Sequence, residues 1–182
     1  MKHIFFFDLD GTLTDSGEGI LNCVRHALDL QNWPYPSDEN LRRFIGPPLI
    51  DSFMDIAGMN KQQAQQAVRD YRARYSTGGL FENRVYDGIP DVLKALHDAG
   101  KRCFMVTSKP EAFSVRIADK FGLTPYLESI CGATLDGKMD SKEQIVQLAL
   151  QRAGNPDPSD VEMIGDRLFD VEGSRKHGID CT

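Results

Sequence analysis

Two aspartates two positions apart follow an apolar run near the start of the chain. Ile4-Phe5-Phe6-Phe7 predicts a buried strand, and Asp8-Leu9-Asp10-Gly11-Thr12 comes directly after it. Because side chains alternate along an extended chain, Asp8 and Asp10 can face the same side, while Gly11 allows a turn and a close backbone approach to a ligand. This pair suits a nucleophile with a nearby proton donor and a hard metal ion. Taken alone, the five residues also fit a strand that ends in a polar turn.

Further polar residues end or follow two later apolar runs, 103–107 and 161–164, which each predict a strand. Ligands of open α/β sheets bind at the carboxyl ends of the strands, so these residues are expected at one sheet edge. A lysine joins them because the capping box of Ser141 and Gln144 fixes the direction of the helix that it opens. The set comprises four carboxylates, two hydroxyls and one lysine: Asp8, Asp10, Asp166, Asp170, Thr107, Ser108 and Lys142.

Electrostatics indicate what such a cluster binds. Two like charges 4 Å apart repel by about 4 kcal/mol at an effective dielectric constant near 20. Several carboxylates at one edge therefore need a cation, or some of them must hold protons. Oxygen ligands in a chain with only 4 histidines favour Mg²⁺ over zinc. The divalent ion, the lysine and the hydroxyls together predict a phosphate ligand.

The residues between these motifs predict two kinds of structure. From position 85 onward, strands alternate with helices, as is typical of right-handed βαβ units around a parallel sheet. Between positions 16 and 81, only helical patterns of comparable strength appear. We therefore predict an α/β fold: a Rossmann-like parallel sheet with helices on both faces, formed by residues 1–15 and 82–182, with a small all-helical domain, residues 16–81, inserted after the first strand.

Three local signals predict where helices of this fold begin. Asp15, with Glu18 three positions later, predicts a capping-box start for the first helix. Pro110 suits the first position of a helix. A further short helix is expected over residues 170–177, before Gly178.

Composition excludes several classes of protein. The chain has 21 Lys and Arg against 27 Asp and Glu, a net charge of -6, and no basic run, which argues against nucleic acid as its main partner. No apolar stretch approaches the roughly 18 residues of a membrane span, and the N-terminal apolar run is too short for a secretory signal. The 4 cysteines are widely spaced, as in a cytoplasmic protein with reduced thiols. The oligomeric state, monomer or dimer, cannot be predicted from these features.

Taken together and in this order, the motifs resemble those of the haloacid dehalogenase superfamily of phosphohydrolases, and most of all its phosphoglycolate phosphatase-like branch. The four matching segments are Asp8–Thr12, Thr107-Ser108, Lys142 and Gly165–Asp170. The resemblance covers nearly the whole chain and implies that residues 16–81 form a helical cap that closes over the core. It also implies a sequence that ordinarily continues for some tens of residues past Gly178-Ile179, so we expect this sequence to be a shortened form.

The resemblance implies a role for each matching residue. Asp8 would be the nucleophile that forms an aspartyl-phosphate, and Asp10 the general acid and then the general base. Thr107 would bind the transferring phosphoryl group, and Lys142 would balance charge between that group and Asp8. Substrate binding would also involve Gly11 and Ser108 in the core and, in the cap, Arg43 and Gly46. Without the resemblance, Arg43 and Gly46 also fit an ordinary helix end with a solvated arginine.

The same resemblance implies a ligand set for Mg²⁺. The set consists of the Asp8 carboxylate, the backbone carbonyl of Asp10 and the Asp166 carboxylate, with Asp170 anchoring them from behind. Lys109 and Lys138 compete with Lys142 for the role of catalytic lysine.

We therefore expect a Mg²⁺-dependent phosphatase of small phosphorylated metabolites, like phosphoglycolate phosphatases. A 5'-nucleotidase of the same branch and a sugar phosphomutase are the alternatives. A receiver-type signalling domain also has a phosphorylatable Asp, but it needs neither Asp10 as a proton donor nor a helical insert. A degenerate binding module is disfavoured because every expected catalytic position is filled.

Overall fold

The computed structural model describes residues 2–182, and the chain forms two compact units. The first, the core unit, combines the chain up to Asp15 with Val85–Thr182. The second, the helical unit, is Ser16–Arg84. In chain order the elements are β1 (Ile4–Phe7), β2 (Thr14–Asp15), α1 (Gly17–Leu30), α2 (Asp38–Arg42), α3 (Leu49–Asp55), α4 (Lys61–Thr77), β3 (Arg84–Val85), α5 (Ile89–Asp98), β4 (Arg102–Pro110), α6 (Glu111–Lys120), β5 (Ser129–Ala133), α7 (Lys142–Arg152), β6 (Val161–Ile164), α8 (Leu168–Arg175) and β7 (Asp180–Cys181).

A five-stranded sheet organises the core unit. Its strand order is β5-β4-β1-β6-β7, and the neighbouring strands pair in parallel. Phe7, the last residue of β1, pairs with Met105 of β4 on one side and with Ile164 of β6 on the other. This register brings the chain segments that leave the three central strands to one edge of the sheet, and the predicted α/β fold is confirmed.

Both faces of the sheet are covered. Phe6 and Phe7 alternate in direction along β1, yet both are buried. On the face of Phe6, the ring meets Phe104 edge-on at 5.5 Å between centroids, within a cluster that includes Ile145 and Ala149 of α7. Continuous apolar strands are what a parallel sheet buried on both faces requires.

The helical unit consists of α1 to α4 with short connections. Phe44 and Phe53 are fully or almost fully buried in it, with ring centroids 5.1 Å apart. The helix α4 begins with a capping box, since Asn60 and Gln63 exchange side-chain hydrogen bonds with each other's backbone N–H groups. Among the described residues, no helix is long and apolar enough to cross a membrane.

Three predicted helix starts differ from the structure. Asp15 belongs to the short strand β2, so α1 begins after Ser16, whose side chain makes no capping hydrogen bond. Pro110 ends β4 and precedes α6, rather than opening it. The helix α8 begins at Leu168, two residues before the predicted start. Asp170 lies at its third position and accepts a hydrogen bond from the Arg167 N–H, so this bond caps a helix that has already begun.

Candidate active site

The turn after β1 places Asp8 at the edge of the sheet. The Asp8 N–H donates to the Ile164 carbonyl oxygen at 2.9 Å, so the backbone is still tied to β6 at this residue. Gly11 then adopts a positive φ of 93°, and a Cβ built there would lie 2.4 Å from Oδ2 of Asp166. Glycine is therefore required twice, for its conformation and for the close approach of the Asp166 carboxylate.

Lys142 reaches Asp8 from the start of α7. Its Nζ lies 2.6 Å from Oδ1 of Asp8, 2.6 Å from Oδ1 of Asp170 and 2.9 Å from the Val106 carbonyl oxygen. The capping box predicted at Ser141 is present, with its Oγ accepting from the Gln144 N–H at 3.3 Å. The ammonium therefore contacts groups that follow β1, lie in β4 and lie in α8.

Two further glycines admit these side chains. A Cβ on Gly173 would lie 2.8 Å from Cγ of Lys142, so α8 can pass the lysine stem only with glycine at this position. A Cβ on Gly165 would lie 2.5 Å from Oδ2 of Asp170. Contacts shorter than 3 Å force the neighbouring atoms to move, and the side chains of both Lys142 and Asp170 are buried.

Three carboxylates gather beside this ammonium. Asp8, Asp166 and Asp170 each offer an oxygen, and the three oxygens lie within 4.8 Å of one another. Asp8 and Asp170 are buried and Asp166 is exposed. A set of oxygen donors whose negative charge exceeds that of the single ammonium fits a hard divalent cation. The Asp10 carboxylate is not part of this group, whereas Asp170, predicted to support the ligands from behind, offers an oxygen of the same cluster.

Burial dominates the protonation of this cluster. Desolvation raises the pKa of Asp8 to about 6, although the ammonium of Lys142 opposes the shift. For Lys142, burial alone lowers the pKa, but the charges of Asp8 and Asp170 outweigh burial and raise its pKa above the usual value. The lysine therefore stays charged, and without a cation the nucleophile candidate holds its proton more tightly than an exposed aspartate does.

Asp10 has a different partner from Asp8. Its Oδ2 lies 2.8 Å from Nζ of Lys109, whereas its Oδ1 is buried and has no hydrogen-bond partner among the described residues. The Thr107 hydroxyl accepts a hydrogen bond from the Lys109 N–H at 3.2 Å. The sequence indicates Lys109 only as a rival of Lys142, whereas the structure gives each aspartate its own lysine. Lys138 is exposed and pairs with Asp136 instead.

The structure thus brings most of the predicted residues to one edge of the core sheet. Ser108 is half-buried next to the buried Thr107. Arg43 and Gly46 belong to the helical unit, where Arg43 is exposed and donates to Oδ1 of Asn40 at 3.1 Å. Their contact with substrate stays a prediction. The core residues are Asp8, Asp10, Gly11, Thr107, Ser108, Lys142, Asp166 and Asp170.

The sequence of the chain matches a known protein family over nearly its whole length. A model of haloacid dehalogenase-like hydrolases matches residues 5–182. The chain belongs to this family. It is 41% identical over 175 residues to a 5'-nucleotidase of Pseudomonas aeruginosa, and the matched region covers 96% of this chain and 79% of that protein. It is 26% identical over 189 residues to a phosphoglycolate phosphatase of Pseudomonas savastanoi, which covers all of this chain and 69% of the other.

Two further similarities are to a protein named as a kinase and to a crystal structure described as a phosphatase. The chain is 40% identical over 179 residues to the tyrosine-protein kinase PtkA of Mycobacterium tuberculosis, covering 98% of this chain but only 60% of that protein. The crystal structure of a predicted phosphatase from Clostridium acetobutylicum matches with a TM-score of 0.91 and 39% identity, covering 100% of this chain and 83% of the other. The chain is therefore a haloacid dehalogenase-like phosphatase, a phosphoric monoester hydrolase.

Proposed function

We propose that this phosphatase hydrolyses small phosphorylated metabolites through a phosphorylated Asp8. In the first step an Asp8 oxygen attacks phosphorus, the ester P–O bond breaks, and the leaving oxygen takes the proton held by the Asp10 carboxyl group. The observation that carries this assignment is the position of the Lys142 ammonium, 2.6 Å from the Asp8 carboxylate. A fixed positive charge there lowers the cost of bringing a phosphate dianion to a carboxylate.

The second step returns the enzyme to its starting state. Water attacks the phosphorus of the aspartyl-phosphate and gives its proton to Asp10, while the bond between phosphorus and the Asp8 oxygen breaks and inorganic phosphate leaves. Covalent catalysis of this kind divides one hard displacement into two easier ones. Phosphate monoesters are among the slowest compounds to hydrolyse without a catalyst, with enzymatic accelerations of up to ~10²¹, so positioning and charge must supply most of the effect.

The protein groups in the site bind and orient the phosphoryl oxygens. Thr107 offers a hydroxyl and Lys142 an ammonium, and Gly11 and Ser108 line the same edge. Mg²⁺ would be held by carboxylates of Asp8 and Asp166 with the Asp10 backbone carbonyl, and Asp170 stands close enough to support or join them. When bound, the ion supplies charge stabilisation for the phosphoryl group.

The substrate would be a small phosphomonoester. Phosphoglycolate is the compound that the sequence motifs favour. The higher identity to a protein named 5'-nucleotidase, 41% against 26%, supports nucleoside 5'-monophosphates as the second candidate. We also propose a cytoplasmic location, which the wide spacing of the 4 cysteines in the sequence supports.

Replacing the nucleophile tests the mechanism. Asp8→Asn should lower turnover by at least about 10⁴-fold, as loss of a nucleophile does in other covalent enzymes. Incubation with ³²P-labelled substrate followed by an acid quench should trap label on wild-type protein and none on the variant. Turnover near the wild-type rate in Asp8→Asn, with its fold verified by circular dichroism, would remove Asp8 as the nucleophile.

A phosphate-release screen with and without Mg²⁺ tests the substrate and the ion. The panel consists of phosphoglycolate, nucleoside 5'-monophosphates, sugar phosphates and pyrophosphate. Rapid release from phosphoglycolate alone supports the first candidate, and a preference for nucleotides supports the second. Interconversion of sugar-phosphate isomers with little free phosphate would indicate a mutase instead. Activity that survives chelation and is unchanged by added Mg²⁺ would contradict the metal assignment.

A further inference from the structure

Lys109 is a buried lysine whose ammonium faces the second aspartate of the pair. Its side chain is 6% exposed, against 17% for that of Asp10, and the two charged groups are 2.8 Å apart. Burying an ammonium costs several kcal/mol unless good partners compensate for the lost water. The desolvation of the Lys109 ammonium therefore indicates a specific role, which an exposed lysine would not need.

The strand β4 is irregular where it carries this lysine. Thr107 pairs with Gly132 of β5, but the next paired residue of β4 is Pro110, opposite Ala133, so the register shifts between them. An extra stretch of this kind in one strand changes the direction of the side chains that it carries. The hydroxyl of Thr107 accepts the Lys109 N–H inside the irregular stretch and so helps to fix it.

The neighbouring strand accommodates the irregularity. A Cβ built on Gly132 would lie 2.7 Å from the Lys109 carbonyl oxygen and 2.6 Å from backbone atoms of Glu111. Backbone atoms cannot move aside as the end of a long side chain can, so β5 needs glycine opposite this stretch. Two elements are thus shaped around the segment that carries Lys109.

We propose that Lys109 is a positioning residue for Asp10. Its ammonium holds Oδ2 of the carboxyl group at 2.8 Å and so fixes the group that gives a proton to the leaving oxygen and later takes one from water. The inference rests on the proposed function, because it needs Asp10 to be the acid and base. The two lysines then have separate roles, since Lys142 serves the nucleophile and Lys109 serves proton transfer.

A positioning role predicts that the effect of losing Lys109 depends on the basicity of the leaving group. A strongly basic alkoxide needs a proton to leave, whereas a weakly basic nitrophenolate leaves with little help. The parameter kcat/KM includes only steps up to the first irreversible one, here the phosphorylation of Asp8, so it isolates the proton-donating step. Loss of Lys109 should therefore lower kcat/KM for alkyl phosphates and spare kcat/KM for p-nitrophenyl phosphate.

The test compares Lys109→Met, Lys109→Gln and the surface control Lys138→Met, each on an alkyl phosphate and on p-nitrophenyl phosphate. General acids contribute about 10²–10⁴-fold, so a loosened one should cost about 10–100-fold in kcat/KM for the alkyl substrate and less than about threefold for the aryl one. Lys138→Met should change neither. In an Asp10→Asn background, Lys109→Met should cost no more than about twofold, because its effect acts through Asp10.

Two results would overturn the inference. Equal losses of kcat/KM on both substrates would assign Lys109 to substrate binding, and a full additional loss in the Asp10→Asn background would separate it from Asp10. Retained aryl phosphatase activity shows that a variant is folded, and the glutamine variant provides the comparison if methionine prevents folding. Failure of the proposed function itself would be seen separately, in the Asp8→Asn experiment. There, either turnover would not depend on Asp8 or the wild-type protein would carry no ³²P label.

Discussion

The core site and the end of α2 in the helical unit hold charge in opposite ways. At the core site, Asp8, Lys142 and Asp170 are buried within a few ångströms of one another. In the helical unit, Arg43 is exposed and its guanidinium donates a hydrogen bond to the Asn40 side chain at the end of α2. The core holds its charges in fixed places, whereas the helical unit keeps this one in solvent, where its side chain retains freedom.

The core site carries a cost in stability that the exposed arginine does not. A buried carboxylate is costly without a partner, and the pKa of Asp8 records that cost. An exposed arginine costs nothing to keep and nothing to replace. We therefore expect substitutions in the core site to change activity and stability together, and a substitution of the exposed Arg43 to change substrate affinity alone.

Lys142→Met should produce the largest combined loss of activity and stability. It removes the charge beside the nucleophile, so turnover should fall by about 10³-fold, and it leaves two buried carboxylates unpaired, which should lower the free energy of unfolding by about 3–5 kcal/mol. Phosphate release and urea denaturation measure the two quantities. Lys138→Met is the matched control, since its ion pair with Asp136 lies on the surface, where solvent screens it. A stable, inactive Lys142→Met protein would break the link between the two quantities.

Asp8→Asn should stabilise the metal-free protein while it abolishes turnover. The pKa of Asp8 is about 6 in the folded protein, above its ordinary value of 3.8, so the folded state retains a proton that the unfolded state has lost. Wild-type stability should therefore fall as pH rises from about 4 to 6, by up to about 3 kcal/mol, and the variant should lack this fall. Thermal unfolding in EDTA across this range provides the measurement. Parallel curves for the two proteins would contradict it.

Gly173→Ala should affect the site without removing any charged group. The new Cβ would meet Cγ of Lys142 at 2.8 Å, so the lysine stem or α8 must move. We expect a loss of about 1–3 kcal/mol in unfolding free energy and about tenfold in kcat. Gly78→Ala is the control, because a Cβ there meets nothing within 4 Å. Equal behaviour of the two variants would show that Lys142 tolerates displacement.

Arg43→Met should have the smallest effect, and one confined to binding. If the arginine contacts substrate from the cap, KM should rise about tenfold while kcat and the unfolding free energy stay near wild type. Its exposed neighbour Arg42 provides the control variant Arg42→Met. Matching KM values for the two variants would leave no role for Arg43.

The core site could be predicted from sequence because its signals are local. The apolar run before Asp8 predicts a strand, and the parallel register of the sheet then decides which edge the carboxylate reaches. The direction of Lys142 follows from the Ser141 capping box, which depends on four consecutive residues. Such signals survive without knowledge of the rest of the fold.

The remaining features depend on contacts between distant segments. The irregularity in β4 that places Lys109 depends on Gly132 in another strand, and nothing near Lys109 in sequence indicates it. The capping prediction at Asp15 is wrong because the residue joins a two-stranded sheet with a segment almost 70 positions away. The predicted start of α8 is wrong because Leu168 and Phe169 are exposed, so the first turn lacks the apolar face that marks a helix.

The three contacts of the Lys142 ammonium also constrain how this protein can diverge. Its Nζ links three segments: Asp8 after β1, the backbone of β4 and the side chain of Asp170 in α8. A descendant that abandons hydrolysis cannot simply lose Lys142, because the buried carboxylates left without a partner would destabilise the fold. It must first exchange those carboxylates for neutral side chains, so we expect inactive relatives to carry coordinated substitutions at positions 8, 142 and 170.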